Sequence, residues 1–311
     1  MTYCLVGNFC IDLILRGVPR LPEWGQEVAG EDFAVVASGQ TTYSALALRA
    51  LGAQVAVVGC VGEDAWGTQI HRELRAKGVD VRSLETASGG RTALTIAAVR
   101  PDGERAFLSE FACLKATGAE LLERHWARIA KAELVCLLGV FNWPGLELEH
   151  AAALFARLSR EGRSTMLDTG WDPGGWQPGT LSSLRALLRE TRIFMPNLDE
   201  ARAITGEERA EEAARALTSL GPELVVVKAG PEGSLALQNG QFARQPALPA
   251  EVVDTVGAGD VFNAAFLFAR NRGRPLQACL RFGASAAALY IGRRRDRFPT
   301  AAEVEEREEA L

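Results

Sequence analysis

The sequence predicts an α/β fold, a layered domain on a mostly parallel sheet with a small β-sheet lid. Three patterns carry that expectation. Short apolar runs recur along the chain, separated by stretches of helical spacing. The runs show little polar alternation, which suits strands covered on both faces and hence a parallel sheet. Alternating strands and helices then stack as helix, sheet and helix layers joined by right-handed crossovers. Two further stretches break the pattern and read as β ribbon.

In chain order, Tyr3–Val6 reads as the first strand. Thr41–Leu51 has helical spacing, and Val55–Cys60 is a short apolar strand. Asp64–Lys77 is a helix with charges on one face, and Asp64 reads as its cap. Leu134–Leu138, Thr165–Leu167, Ile193–Met195 and Leu224–Val227 are strands with helical stretches between them. Leu13–Ala37 holds extended pieces with Pro19, Pro22 and Gly25. Thr92–Phe107 alternates through Leu94, Ile96 and Ala98, turns at Pro101-Asp102-Gly103 and returns, a hairpin pattern. Both stretches are assigned to the lid, residues 13–37 and 90–110; a plain β extension used for dimerisation is the other reading. The 311 residues lie near the size where one core stops growing, so residues 1–311 are expected to form one domain.

Composition narrows the function. Hydrophobic content of 48% with 23% charged residues fits a soluble globular protein. A net charge of −5 argues against nucleic acid as the main partner. The basic residues are nearly all Arg, with Lys only at 77, 115, 131 and 228, and the short Arg293-Arg294-Arg295 run reads as solvated, with a place at the border of the nucleotide as the other reading. Six scattered cysteines with no C-x-x-C pair speak against zinc and for reduced, buried thiols. No leader pattern and no membrane-length apolar run is visible, so a cytoplasmic protein is expected.

The most informative stretch is Asp254-Thr255-Val256-Gly257-Ala258-Gly259-Asp260, followed by the apolar run Val261–Ala269. It reads as a strand end, a glycine turn and a helix start. Gly257 and Gly259 let bare N–H groups approach a ligand. The helix dipole makes the turn an anion hole. Asp260, in the first helical turn, is placed to take a proton from a hydroxyl attacking that anion. The bland reading is a tight connection with Asp as a cap. Six specified residues in a row, at roughly 5–7% usage each, favour the functional one.

Asp-Thr-x-Gly-Ala-Gly-Asp resembles the C-terminal motif of the ribokinase (PfkB) family of carbohydrate kinases. Other pieces follow in family order over nearly the whole chain. Gly7-Asn8-Phe9-Cys10-Ile11-Asp12 resembles the opening motif, and Ser38-Gly39 with Gly59–Gly67 resembles the N-terminal one. Pro101–Arg105 is similar to a lid turn, Asn197-Leu198-Asp199-Glu200 to the family's Asn-x-x-Glu, and Lys228–Ser234 to the segment beside the nucleotide. The resemblance implies a ribokinase-like three-layer α/β/α sandwich that uses ATP and Mg2+. It implies Asp260 as base and Gly257, Ala258 and Gly259 as the anion hole. It assigns Asp12, Ser38, Gly39 and Tyr43 to the acceptor, with Arg105 in the lid as a counterweight for a charged one. Asn197, Lys228, Gly230 and Gly233 fall to the nucleotide side, with Lys228 as easily structural. Glu200 falls to magnesium through water. Asp254 matches a position that binds K+ in several members, and family lids often double as homodimer surfaces.

Two departures bear on the acceptor. Tyr43 stands where many sugar kinases have Asn, and Asp168-Thr169-Gly170-Trp171-Asp172 replaces Asp-x-Asn-x-Arg. With Asp168 and Asp172 near the pocket and no basic residue in 168–176, a neutral acceptor is expected, with Tyr43 and Trp171 as an apolar wall. There is no P-loop motif and no G-x-G-x-x-G opening a helix. His71, His125 and His150 read as surface residues. The expected function is ATP-dependent phosphoryl transfer to a hydroxymethyl group of a small neutral sugar. The alternatives are a nucleoside kinase of the same fold, with Trp24, Phe107, Phe141, Trp143 or Trp171 stacking a base, and a sugar- or nucleotide-binding sensor without turnover.

Overall fold

The structure, a computed structural model, describes residues 2–102, 104–293 and 297–310. Gly103 of the lid turn and Arg294 and Arg295 of the arginine run lie outside the described residues. The strands are β1 (Thr2–Gly7), β2 (Cys10–Arg16), β3 (Asp32–Ser38), β4 (Gln54–Gly62), β5 (Asp80–Ala87), β6 (Ala93–Val99) and β7 (Arg105–Glu110). They continue with β8 (Leu134–Leu138), β9 (Ser164–Asp168), β10 (Ile193–Phe194), β11 (Leu224–Lys228), β12 (Ser234–Gln238) and β13 (Gln241–Gln245).

Nine of these form one sheet in the order β13-β12-β11-β10-β9-β8-β1-β4-β5. The pairs from β11 through β1 to β5 are parallel, and the β12–β13 hairpin is added antiparallel at one edge. Alternation along the strands feeds two apolar layers. Tyr3, Leu5, Leu134 and Cys136 pack on one side, with residues of the helices Gln40–Ala50, Ala258–Asn271 and Leu276–Ile291. Cys4, Val6, Val135 and Leu137 pack on the other, with the helices Leu148–Arg160, Pro178–Arg189 and Ala210–Ser219. Strands buried on both faces are therefore continuous apolar runs. All six cysteines are free and buried in these layers. Asp64 caps the helix Ala65–Ala76 by accepting the Gly67 N–H at 2.8 Å, worth about 1 kcal/mol.

The other four strands form a second sheet, β3-β2-β6-β7. Ser38 ends β3, directly before Gly39 and the helix Gln40–Ala50, so this sheet joins the main body at the site. Asp12 lies inside β2, in the second sheet. One reading needs correction here. No strand precedes the Gly257 turn; the Val253 and Asp254 N–H groups instead donate to the Ile291 carbonyl at 2.8 and 3.1 Å.

Strand order reverses at β1, whose neighbours β4 and β8 lead to opposite edges. Open α/β sheets leave a crevice beyond the carboxyl ends of such strands. Gly7, Leu138, Asp168 and Lys228 end β1, β8, β9 and β11, and so all face that crevice.

Candidate active site

At one end of the crevice is the glycine turn. Gly257 caps the helix Ala258–Asn271 with φ +82°, a left-handed geometry that favours glycine. A Cβ there would lie 2.9 Å from Tyr43 Cδ1 and 3.1 Å from Tyr290 Oη. Gly259 differs. Its Cβ would meet nothing nearer than Lys228 Nζ at 3.8 Å. The N–H groups of Gly257 and Gly259 have no hydrogen-bond partner among the described residues. The Ala258 N–H, between them, donates to the Thr255 carbonyl at 3.2 Å. The Asp254 carboxylate holds the Val256 N–H at 3.0 Å and pairs with Arg16 of β2 at 3.2 Å. It thus braces the approach to the turn.

Asp260 follows in the first turn of the helix and is buried. Below it lies a carboxylate that the sequence places only near the acceptor pocket, with no role in phosphoryl transfer. Asp168, at the end of β9, is 2% exposed and accepts four hydrogen bonds. They come from Lys228 Nζ at 2.6 Å, Asn263 Nδ2 at 2.6 Å, Gln40 Nε2 at 2.9 Å and the Gly170 N–H at 3.2 Å. Burial opposes the Asp168 charge, but the Lys228 ammonium and these donors hold its carboxyl below the usual range. Burial opposes the Lys228 charge too, and Asp168 and Glu200 hold its pKa above the usual value. Asp260 is pushed well above the carboxylate range by burial, then by the negative charge of Asp168.

Asn197 and Glu200 form a reciprocal capping box on the helix Leu198–Thr205. Asn197 Oδ1 accepts the Glu200 N–H at 2.8 Å, and Glu200 Oε2 accepts the Asn197 N–H at 3.0 Å. Glu200 is nevertheless raised to about 7, by burial first and by Asp168 second. Asn197 also pairs with Lys228 in a parallel bridge, which sets this helix end beside the glycine turn. Three carboxylates thus surround one ammonium. A cluster short of positive charge fits a divalent cation. Among the described residues, however, no three His, Cys, Asp or Glu side chains converge to hold a metal unaided.

On the other side of the turn lies a cavity of about 620 Å3 between the second sheet and the main body. Asp12, Ser38, Gly39 and Tyr43 all line it. Asp12 accepts the Ser38 hydroxyl at 2.6 Å. Its apolar walls include Phe107, Phe111 and Trp171, and among the described residues no Arg or Lys lines it. The described carboxylates that line it are Asp12 and Glu110.

Several expected residues are elsewhere. Arg105 is exposed at the far end of β7 and lines a separate surface groove with Val18 and Arg20. Asp172 is buried, but its oxygens accept the Gly174 and Trp176 N–H groups of its own loop, both at 2.7 Å. Of the aromatics considered for stacking, Phe107 and Trp171 reach the cavity. Trp143 is core, Phe141 packs edge-on against Trp176, and Trp24 is fully exposed. Gly233 is required by packing, since a Cβ would collide with the Gln245 carbonyl; Gly230, at φ +53°, has open space. His125 and His150 pair with Glu85 and Glu147, away from this crevice.

With the geometry in hand, comparisons with known proteins agree. Residues 3–302 match the profile of the pfkB family carbohydrate kinases. A ribokinase from Haemophilus influenzae is 25% identical over 295 residues, covering 93% of this chain and 92% of that one. A cytidine kinase from Thermococcus kodakarensis is 43% identical over 107 residues, 33% of this chain and 38% of that one. The structure of Arabidopsis thaliana ribokinase complexed with ribose and ATP superposes with a TM-score of 0.84 at 26% identity. That alignment covers 98% of this chain and 97% of that one. The fold is the three-layer ribokinase fold.

Proposed function

The chain belongs to the pfkB family of carbohydrate kinases, and on that premise we propose that it moves the γ-phosphoryl group of ATP onto a hydroxymethyl group of a small neutral acceptor. The acceptor oxygen bonds to phosphorus as the bond to the β–γ bridging oxygen breaks. ADP leaves, and the hydroxyl proton passes to Asp260. Asp12, Ser38 and Gly39 hold the acceptor's hydroxyls. The Gly257 and Gly259 N–H groups face the charge that develops on the phosphoryl oxygens. The nucleotide lies along Gly230, Gly233 and Lys228. Glu200, beside Asn197, would hold magnesium through water, and the ion would neutralise phosphate charge. The second sheet excludes water as a rival acceptor. One observation carries this reading. Asp260 is buried, its carboxyl is raised, and it directly follows a turn that the cavity reaches at Val256 and whose Gly257 and Gly259 N–H groups have no partner among the described residues.

The cavity's charge sets the acceptor class. Asp12 and Glu110 line the cavity and repel anions, and among the described residues no Arg or Lys lines it, while Arg105 stands apart. An ATP-coupled screen should therefore give higher kcat/KM for neutral sugars or nucleosides than for sugar acids or sugar phosphates. A sugar phosphate as best substrate overturns the charge argument. The cavity's aromatic wall favours a nucleoside as a second reading, since Phe107, Phe111 and Trp171 offer a planar group a stacking surface. Any acceptor-dependent turnover excludes the non-catalytic sensor.

We further propose a monovalent cation such as K+ beside Asp254, although Arg16 already shares that carboxylate. Equal rates in potassium and in a bulky organic cation would remove this site. A homodimer through the second sheet is proposed from register: Phe33, Ile96 and Leu108 share its outer face and are exposed. Sedimentation should give a dimer for the wild type and a monomer for Leu108→Asp; an unchanged Leu108→Asp dimer contradicts it.

A further inference from the structure

We propose that Asp168 is a positioning residue that aims the Lys228 ammonium at the phosphoryl group held by the glycine turn; this rests on the kinase reading above. Asp168 ends β9 in the middle of the sheet and is bonded from three separate elements of the site. Lys228 reaches it from the end of β11. Asn263 reaches it from the helix that carries Asp260, three residues further along. Gln40 reaches it from the first residue of the helix behind Gly39. Lys228 and Asn263 share one oxygen, Oδ2, each at 2.6 Å, so the ammonium has one well-defined seat.

That seat lies against the turn. Lys228 Nζ is 3.8 Å from where a Gly259 Cβ would stand, and the side chain is only 14% exposed. A lysine on a four-carbon stem is otherwise a loosely aimed point charge. Fixed by Asp168, the ammonium adds a full positive charge beside the two N–H donors, where equatorial phosphoryl oxygens gain charge in transfer. The carboxylate touches no reacting atom. Its work is to keep the lysine charged, aimed and in place, and through Asn263 and Gln40 to tie the base's helix to the acceptor edge.

A double-mutant cycle on full-length protein tests this, with kcat and ATP KM measured separately. Lys228→Gln and Asp168→Asn are each expected to lower kcat by about 10²- to 10³-fold with ATP KM changed less than about threefold. The double variant is expected to fall no further than Lys228→Gln alone, because both changes remove the same interaction. The double variant removes both members of the buried pair, so its comparison with Lys228→Gln decides the matter even where Asp168→Asn fails to fold. Multiplying losses, or an Asp168→Asn enzyme with wild-type kcat, overturns the proposal. Asp260→Asn separates the two readings. If that variant stays active while the cycle shows coupling, the base assignment falls and the positioning role stands. If it is inactive while the cycle shows none, the reverse holds.

Discussion

Asp260→Asn is expected to bind ATP normally and to lose turnover by about 10²- to 10⁴-fold, the usual cost of removing a general base. Asn keeps the size of the side chain and cannot accept the acceptor's proton. The fold has no other need of the charge. Asp260 is buried, and among the described residues it makes no salt bridge. The pH profile gives a second check. Burial, then Asp168, raises the Asp260 carboxyl well above the usual value of about 4. A base works deprotonated, so wild-type kcat/KM should rise with pH along an acidic limb displaced upward. Asp260→Asn should lack that limb. Parallel measurements of ATP affinity and kcat decide the point, and a variant with most of its kcat removes Asp260 from the role.

Gly259→Ala is expected to fold as well as the wild type and to lose most of its activity. Gly259 lies within the helix Ala258–Asn271, where Ala is about 1 kcal/mol more favourable than Gly. Its φ is not in the left-handed region, and a methyl group there has room in the fold. The fold therefore does not require glycine at 259, but an approaching phosphate does. The methyl would stand between the turn and the Lys228 ammonium. A loss of about 10²-fold or more in kcat with an unchanged melting temperature is the expected result. Gly257→Ala gives the contrast. It meets both a φ of +82° and the Tyr43 ring, so it should lose stability as well as activity. An active Gly259→Ala enzyme would mean that no anion lies on this turn.

Much of this architecture is legible in the sequence, for physical reasons that also mark its limit. Leu134–Leu138 is an apolar run because β8 is buried on both faces, and its ends fall where the pattern puts them. The helix behind Gly257 announces itself by two glycines before an apolar run. The β12–β13 hairpin was not singled out; it is an edge addition with a weak pattern, ending in a partly exposed strand. Asp168 is legible as a carboxylate near the pocket, since it directly follows the strand run Thr165–Leu167, as Lys228 follows Leu224–Val227. What makes it a hub is Lys228, 60 positions on, and Asn263, 95 positions on, and no local pattern encodes that pairing. Asp172 misled in the opposite sense. It is a neighbour in sequence, yet its loop turns the carboxylate onto its own amides. Arg105 sits at a hairpin end, where register and strand length decide whether it reaches the cavity.

The central claim is phosphoryl transfer to an alcohol at the Gly257 turn, and product analysis tests it most directly. The protein is incubated with ATP, magnesium and the best neutral acceptor from the screen, and the phosphorus-containing products are identified by NMR. The account predicts one phosphate monoester on an acceptor hydroxymethyl group for each ADP formed, with neither product accumulating in Asp260→Asn. ATP bound without transfer to any alcohol, or ADP released only with inorganic phosphate, would contradict it.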